Sequence, residues 1–434
     1  MERKKITVIG LGFVGLPLSL SFAMRGYPVI GLDVNQSLIE DLNQGITYHL
    51  EQYQGKTIQE ILKEALANGT FKATSNYREA FAESDTYIVT VSLPVKEGMP
   101  VYDYFEAAMM DLGKGLKQGD LVLIRSTVVP GTTEEIAKPI LEKESGLKAE
   151  KDFYLAYASE RIAEGKAFEE FENMPTIVAG ISPESAEKAK EVLRLISKAE
   201  IHVASDMKVV ETAKVFENVS RDVNIAMANQ FAQFCQALGI DTMETFRMAN
   251  THKRVNLLTP GPGVGGCCLP SAYYYLRPKQ VELNIDLSLL QMARMINDQV
   301  PARIVDMIDY MLKKQGKLLQ GAEAAVLGLA MKDYSNDDRN SPAHYVCRRL
   351  IEKGVIVKAY DPAVHSRAAY AVDSLEQAIE QADALVVLAK QKAFDGLNLT
   401  SIKERMKDHP ILVDTKHLFS KEQAQELGFD YFAI

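Results

Sequence analysis

Lys214 and Asn218 stand four residues apart, a pair of residue types suited to handling an alcohol and its proton. At that spacing they share one face of any helix that contains them. An ammonium there polarises an oxygen or moves a proton, and a primary amide orients what it holds. Asp222 continues the stripe. Taken alone, the stripe also fits a solvated helix face. A second feature is Cys267–Cys268, half of the chain's four cysteines, inside GPGVGGCCLPSAYYYL (261–276). A nucleophile, a disulfide and simple filler are all open for this pair. No histidine or acid cluster accompanies it, so no metal site is expected. Cys235 and Cys347 fall in helical stretches and read as packing residues.

Chemistry of this kind needs a partner that takes hydride. VIGLGFVG supplies Gly10, Gly12 and Gly15 directly after a strand-like run and before a helical one. Glycines at that spacing let the backbone turn tightly beside a pyrophosphate, with Phe13 and Val14 inside the turn and free N–H groups at the helix start. A second strand-like run ends at Asp33, placed to hold the hydroxyls of an adenine ribose. Asp33 would repel a ribose phosphate, and no arginine follows it closely, so NAD is expected rather than NADP. Glu160 and Glu164 in SERIAEG follow another apolar run, which would set Glu160 near the nicotinamide edge. As isolated acids they read as surface residues.

The elements that must position these groups alternate. Residues 6–10, 27–33, 85–91, 120–127, 153–160 and 176–180 are apolar runs separated by helical segments, the pattern of a parallel sheet buried on both faces. Residues 205–238 hold no glycine or proline, open on Ser-Asp and stop at Gly239, so one helix of roughly 50 Å is expected. A further helix is expected over 285–313, with Pro301 as a kink or break. Strand-like runs resume at 322–330, 354–362, 382–389 and 409–415. The fold class read from this is α/β, with two Rossmann-like doubly wound domains joined by a long-helix central region. The expected divisions are 1–200, 201–315 with the cysteine loop, and 316–434. The long helices also offer a homodimer surface.

Bulk properties narrow the class. The chain has 434 residues and a net charge of −9, a poor match to nucleic-acid binding. Its start, MERKKITVIGLG, is charged and then apolar, like a leader, but glycines interrupt the run and no cleavage site follows. No segment is long and apolar enough to span a bilayer. Few cysteines suggest a reducing, cytoplasmic setting with free thiols.

Six stretches together carry a resemblance: VIGLGFVGLPLS, STVVPGTT (126–133), SERIAEGKAFEE (159–170), KVFENVSRDVNIAMANQ (214–230), HKRVNLLTPGPGVGGCC (252–268) and LAMKDYSNDDRNSPA (329–343). In this order, over nearly the whole chain, the sequence resembles the UDP-glucose and UDP-N-acetylhexosamine 6-dehydrogenase family. The resemblance implies an N-terminal NAD domain, a helical dimerisation core and a C-terminal UDP-binding domain. It implies two successive oxidations of the C6 alcohol of a UDP-sugar to a uronate, through a thiohemiacetal and a thioester on a cysteine. It assigns that cysteine to Cys268, with Lys214 and Asn218 holding the oxyanion. Glu160 would position substrate or activate water, and Thr127 would hold the water. Ser92 and Arg339 would touch the cofactor. Arg161, Arg254 (from a neighbouring subunit), Gly263, Gly265 and Lys332 would meet the sugar nucleotide, with Val264 and Gly266 in the same loop.

Three positions depart from the family pattern. Ala272 stands where an aspartate normally supports the lysine and the water, with Glu160, Glu164 or Asp222 as candidates to compensate. Leu93 replaces a threonine in VSLP (91–94), where cofactor contacts are expected. Cys267 replaces a histidine or serine. The substrate signals are mixed. HKRVN before PGPGVGG points to UDP-GlcNAc or UDP-ManNAc, while Glu164 points to UDP-glucose. The alternatives are a UDP-glucose dehydrogenase, a catalytically impaired relative because of Ala272, and a simple β-hydroxyacid dehydrogenase, which would need neither Cys268 nor a second α/β domain.

Overall fold

The computed structural model describes residues 5–364, 366 and 368–434. The charged start of the leader-like stretch, residues 1–4, lies outside them. The chain divides into two compact units. The first runs to Glu217 and regains Tyr274–Ile285, and the second comprises Asn218–Tyr273 and Asp286–Ile434.

In the first unit the apolar runs become strands: β1 (Ile6–Ile9), β2 (Val29–Leu32), β3 (Phe71–Thr74), β4 (Thr86–Val89), β5 (Leu121–Ile124), β6 (Tyr154–Ala158), β7 (Thr176–Gly180) and β8 (Ile201–Val203). They pair in the order β8-β7-β6-β5-β4-β1-β2-β3. Every residue of β1, β2, β4 and β5 is buried, as a sheet covered on both faces requires. The sheet is not wholly parallel, as the runs suggested: β7 lies antiparallel to β6, with Tyr157 opposite Ala179. An apolar run carries no direction, and an antiparallel neighbour needs only a short return. Helix α1 (Gly15–Ala23) packs behind β1 and is buried at every position.

The second unit holds β9 (Glu323–Leu327), β10 (Ile356–Tyr360), β11 (Ala384–Val387), β12 (Ile411–Asp414) and β13 (Asp430–Ala433), in the order β10-β9-β11-β12-β13 and all parallel. Its first strand is flanked by the second and third, as β1 is by β2 and β4. The likeness reaches single residues. Asp33, just after β2, accepts the Leu11 N–H at 2.7 Å, and Asp361, just after β10, accepts the Leu329 N–H at 2.8 Å.

The long helix is α2 (Met207–Leu238). Asp206 caps it by accepting the Lys208 N–H at 2.6 Å. Gly239 ends it in the left-handed region (φ 70°), with the Ile240 N–H reaching back to the Cys235 carbonyl at 3.1 Å. Helix α3 spans Cys268–Leu283, so the expected loop around the cysteines ends at Cys268 itself. Pro270 is compatible with this because the first turn of a helix has no intrahelical N–H bonds to lose. Helix α4 (Ser288–Lys314) runs straight through Pro301 without a break.

Candidate active site

In the first unit the glycine turn is built around space. An added Cβ on Gly15 would fall 1.7 Å from the Gly10 carbonyl oxygen, so only glycine fits where α1 meets β1. Gly10 takes φ 93°, open to glycine at no steric cost. At Gly12 a Cβ would meet nothing within 4 Å, which leaves room beside the turn for a ligand. Val14 precedes α1 with no side-chain cap, so no side chain competes with an anion at the helix start, although Leu16 already donates to the Gly12 carbonyl at 3.3 Å and Pro17 has no N–H. Phe13 packs against Tyr48 and His49 at ring distances of 5.6 and 5.0 Å. Half-buried Asp33 spends one oxygen on Leu11 and the other on the Asn35 N–H, each through one of two lone pairs. These features fit a dinucleotide. Ser92 is exposed nearby in sequence, while Leu93 is buried at 1 % and its carbonyl accepts from the Tyr275 hydroxyl at 2.6 Å. The leucine side chain therefore fills the interior.

The loop after β5 and the loop after β6 carry the next residues. Arg125 pairs with Glu160 at 2.6 Å, both nearly out of solvent. The other Glu160 oxygen accepts the N–H groups of Arg161 and Ile162 at 2.7 and 2.9 Å. Arg161 in turn binds Glu217 and the Pro175 carbonyl. Buried Glu51 accepts from Gly165 and Ala167 at 2.7 and 3.0 Å. SERIAEGKA is thus pinned by acids, and Glu160 works as one of the pins. Thr127 is half-buried beyond β5. Glu211 on α2 accepts from Gly131, from the Thr133 N–H at 2.9 Å and from the Thr133 hydroxyl at 2.6 Å. This fixes α2 against STVVPGTT one turn before Lys214, which is 9 % exposed. Burial pushes the Glu211 carboxyl up, against the pull of those hydrogen bonds.

In the second unit, Asn218 is 4 % exposed and its Nδ2 is buried with no hydrogen-bond partner among the described residues. A buried orphan donor is costly unless a ligand accepts from it. Asp222 is already engaged through one oxygen, Oδ1. It accepts from Arg294 at 2.7 Å and from Asn297 at 2.9 Å. Asn297 then accepts from Asn229 at 3.2 Å, and Asn229 accepts the Gly261 N–H at 3.0 Å. A polar ladder therefore runs from α2 through α4 to the start of the glycine-rich loop.

That loop lies close against protein. A Cβ on Gly263 would crowd Pro301 at 3.2 Å, and one on Gly265 would reach Pro342 at 2.8 Å and Met331 at 2.9 Å. Gly266 takes φ 82°, donates to the Arg339 carbonyl at 3.1 Å and accepts from Asn340 at 3.3 Å. Cys267 and Cys268 follow as free, exposed thiols. Enough protein surrounds the Cys267 sulfur to push its thiol up, while the Arg339 charge pulls it down. Ala272 is fully buried in α3. Lys332 is half-buried and Arg339 exposed on the loop after β9, where Arg339 forks onto Asp337 at 2.7 to 3.1 Å. Arg254 is exposed in a turn after the helix Thr242–Ala249.

Sequence reading missed Arg125, Glu211, Arg294, Asn297 and Asn229. Arg125, a charge closing the apolar run DLVLIR, offered a signal. The others sit at helical positions that read as solvated.

Comparisons with known proteins agree with this fold. Residues 4–197 match the NAD binding domain of the UDP-glucose/GDP-mannose dehydrogenase family, 208–299 its central domain and 325–421 its UDP binding domain. A UDP-N-acetyl-D-mannosamine dehydrogenase of Pyrococcus horikoshii is 36% identical over 96% of each chain. A UDP-N-acetyl-D-glucosamine 6-dehydrogenase of Pseudomonas aeruginosa is 33% identical over 98% of this chain and 99% of the relative. The solved structure of a UDP-D-ManNAc dehydrogenase from Pyrococcus horikoshii superposes with a TM-score of 0.90 at 35% identity, over 99% of both chains. No helix among the described residues is long and apolar enough to cross a membrane. With the glycine turn, the acid after β2 and three domain matches in order, the chain belongs to the UDP-glucose/GDP-mannose dehydrogenase family and is an NAD-dependent UDP-sugar dehydrogenase.

Proposed function

We propose that the chain oxidises the C6 alcohol of a UDP-N-acetylhexosamine, UDP-GlcNAc or UDP-ManNAc, to the uronate in two steps through Cys268. The observation that carries the reading is the buried, unpartnered Nδ2 of Asn218, one helical turn after Lys214. Two donors on one turn suit an oxygen that gains negative charge. When bound, NAD takes a hydride at each step. The Cys268 sulfur adds to the aldehyde carbon, and Lys214 and Asn218 donate to the resulting oxyanion. The second oxidation leaves a thioester on Cys268, which water held at Thr127 cleaves to carboxylate and thiol. Glu160, committed to Arg125 and two amides, positions the SERIAEG loop and with it Arg161. Gly10, Gly12, Phe13, Val14, Gly15, Asp33 and Ser92 hold the cofactor, with Arg339 at its far end. Lys332, Gly263, Gly265 and Arg254 hold the sugar nucleotide, the last from a second subunit. HKRVN and the relatives' printed activities support the acetamido sugars.

The domain limits 1–200, 201–315 and 316–434 remain the working division. A homodimer is proposed through the central helices, where Phe216, Phe234 and Leu289 are exposed at 57%, 66% and 70%. Four free cysteines support a cytoplasmic setting.

Ala272 favours a second reading, a relative that stops at the aldehyde or binds without turnover. Asp222 is tied to Arg294 and Asn297, and Glu160 to Arg125 and two amides, so each already serves another partner, and Glu164 is the remaining candidate to stand in for the missing acid. Counting NADH per sugar over a panel of UDP-hexoses decides. Two NADH per sugar, lost in Cys268→Ala but largely kept in Cys267→Ala, supports the proposal. One NADH, or calorimetric binding with no turnover, supports the second reading.

A further inference from the structure

Of the four cysteines, Cys235 and Cys347 are buried, and only Cys267 and Cys268 are exposed. The backbone around this pair is held on both sides. Gly266 is fixed to Arg339 and Asn340, and Cys268 is the first residue of α3. The two cysteines therefore sit as sequence neighbours on a backbone held at both ends. Their Cα atoms are separated by one peptide, about 3.8 Å. An ordinary disulfide spans about 4.4–6.8 Å, so a bond between these neighbours is strained and easily reduced.

We propose that Cys267 is a resolving thiol that rescues Cys268 from oxidation by a hydroperoxide. The Cys268 thiolate attacks the peroxide, the O–O bond breaks, and sulfur becomes a sulfenic acid while hydrogen peroxide is reduced to water. The Cys267 sulfur then attacks the Cys268 sulfur. An S–S bond forms, the S–O bond breaks, and the leaving hydroxide departs as water with the Cys267 proton. A dithiol reductant returns both thiols and is itself oxidised to its disulfide. Without a resolving partner, a sulfenic acid proceeds to the sulfinic acid, which such reductants do not reverse.

The proposal rests on the reading of Cys268 as the reactive thiol, and its test reads mass as well as turnover. The full chain is treated with hydrogen peroxide, quenched, weighed intact, mapped by peptide, and then treated with dithiothreitol. The expected product is two hydrogens lighter, links Cys267 to Cys268, makes no NADH, and recovers nearly all activity on reduction. Cys267→Ser is expected to start with similar turnover, gain two oxygens on Cys268, and recover about tenfold less activity. Sulfinic acid forming on Cys268 as readily in the parent as in Cys267→Ser overturns the proposal. So does a disulfide that joins Cys268 to another chain. Were the chain to make no NADH at all, the mass and peptide map would still decide this question separately from the proposed function.

Discussion

Arg294 on α4 donates to Asp222 on α2 at 2.7 Å, with both side chains almost wholly out of solvent. Asp298 holds the other side of the guanidinium at 3.0 Å. Removing one partner of a buried pair leaves an uncompensated charge. Asp222→Ala is expected to lower stability by about 3 kcal/mol in urea unfolding. Replacing both, Asp222→Leu with Arg294→Met, should recover most of the loss. A single variant as stable as the parent would show that the pair carries no such role.

Gly12 and Gly15 belong to one motif but answer to different constraints. Gly15→Ala drives a methyl into the Gly10 carbonyl, 1.7 Å away, and backbone there has nowhere to move. The expected cost is about 3 kcal/mol or more, read as a lower Tm. Gly12→Ala meets nothing within 4 Å and should leave Tm unchanged. It should weaken NAD binding about tenfold, some 1.4 kcal/mol, by calorimetry. Unchanged NAD affinity in Gly12→Ala would mean the open space beside the turn is not used.

Glu211 sets a pH dependence. Burial is the largest influence and raises its carboxyl above the ordinary 4.5, despite hydrogen bonds from Thr133 and Gly131. In the window between 4.5 and the raised value the folded chain binds more protons than the unfolded one. The contribution of Glu211 to stability is thus full below 4.5 and falls as pH rises through the folded value. The stability difference between the parent and Glu211→Gln should therefore shrink with rising pH above about 4.5, in urea midpoints taken across that range. A difference that grows with pH would reverse the sign and sink the assignment.

Interior strands were legible from continuous apolar runs, and the long helix from its lack of glycine and proline between a Ser-Asp start and Gly239. The strands that escaped, β3, β8 and β13, are all at sheet edges. β8 and β13 are poorly covered, and β3, though mostly buried, reads FKAT with a lysine and a threonine, so none shows the apolar run that marks a central strand. For β7 the strand was legible but its antiparallel direction was not, because direction leaves no trace in composition. Lys214 and Asn218 share a helix as their spacing implied, but the spacing also fitted a solvated face, and only the structure shows that both are buried and that the Asn218 amide is an orphan. Asp222 looked like more of the same stripe. Its partner Arg294 lies 72 residues on, and only packing brings the two together. Cys268 read as loop because glycine and proline surround it, although a proline in a first turn does not prevent a helix.

The acids after β2 and β10 occupy matching places in two sheets, but they differ in what they have left to give. Asp33 is half-buried and bonds one N–H per oxygen. Asp361 is 7 % exposed, and a single oxygen serves Leu329, Ala330 and Gln391 while the other serves Ala363. By the same count Asp361 keeps one lone pair where Asp33 keeps two, and it lies nearly out of solvent, a poor receiver for a ribose diol. The second sheet thus sets an acid at the same place as the first, after the strand beside its central one. There Asp361 is an internal rivet for the loop after β9, whereas Asp33 stays open to a further donor.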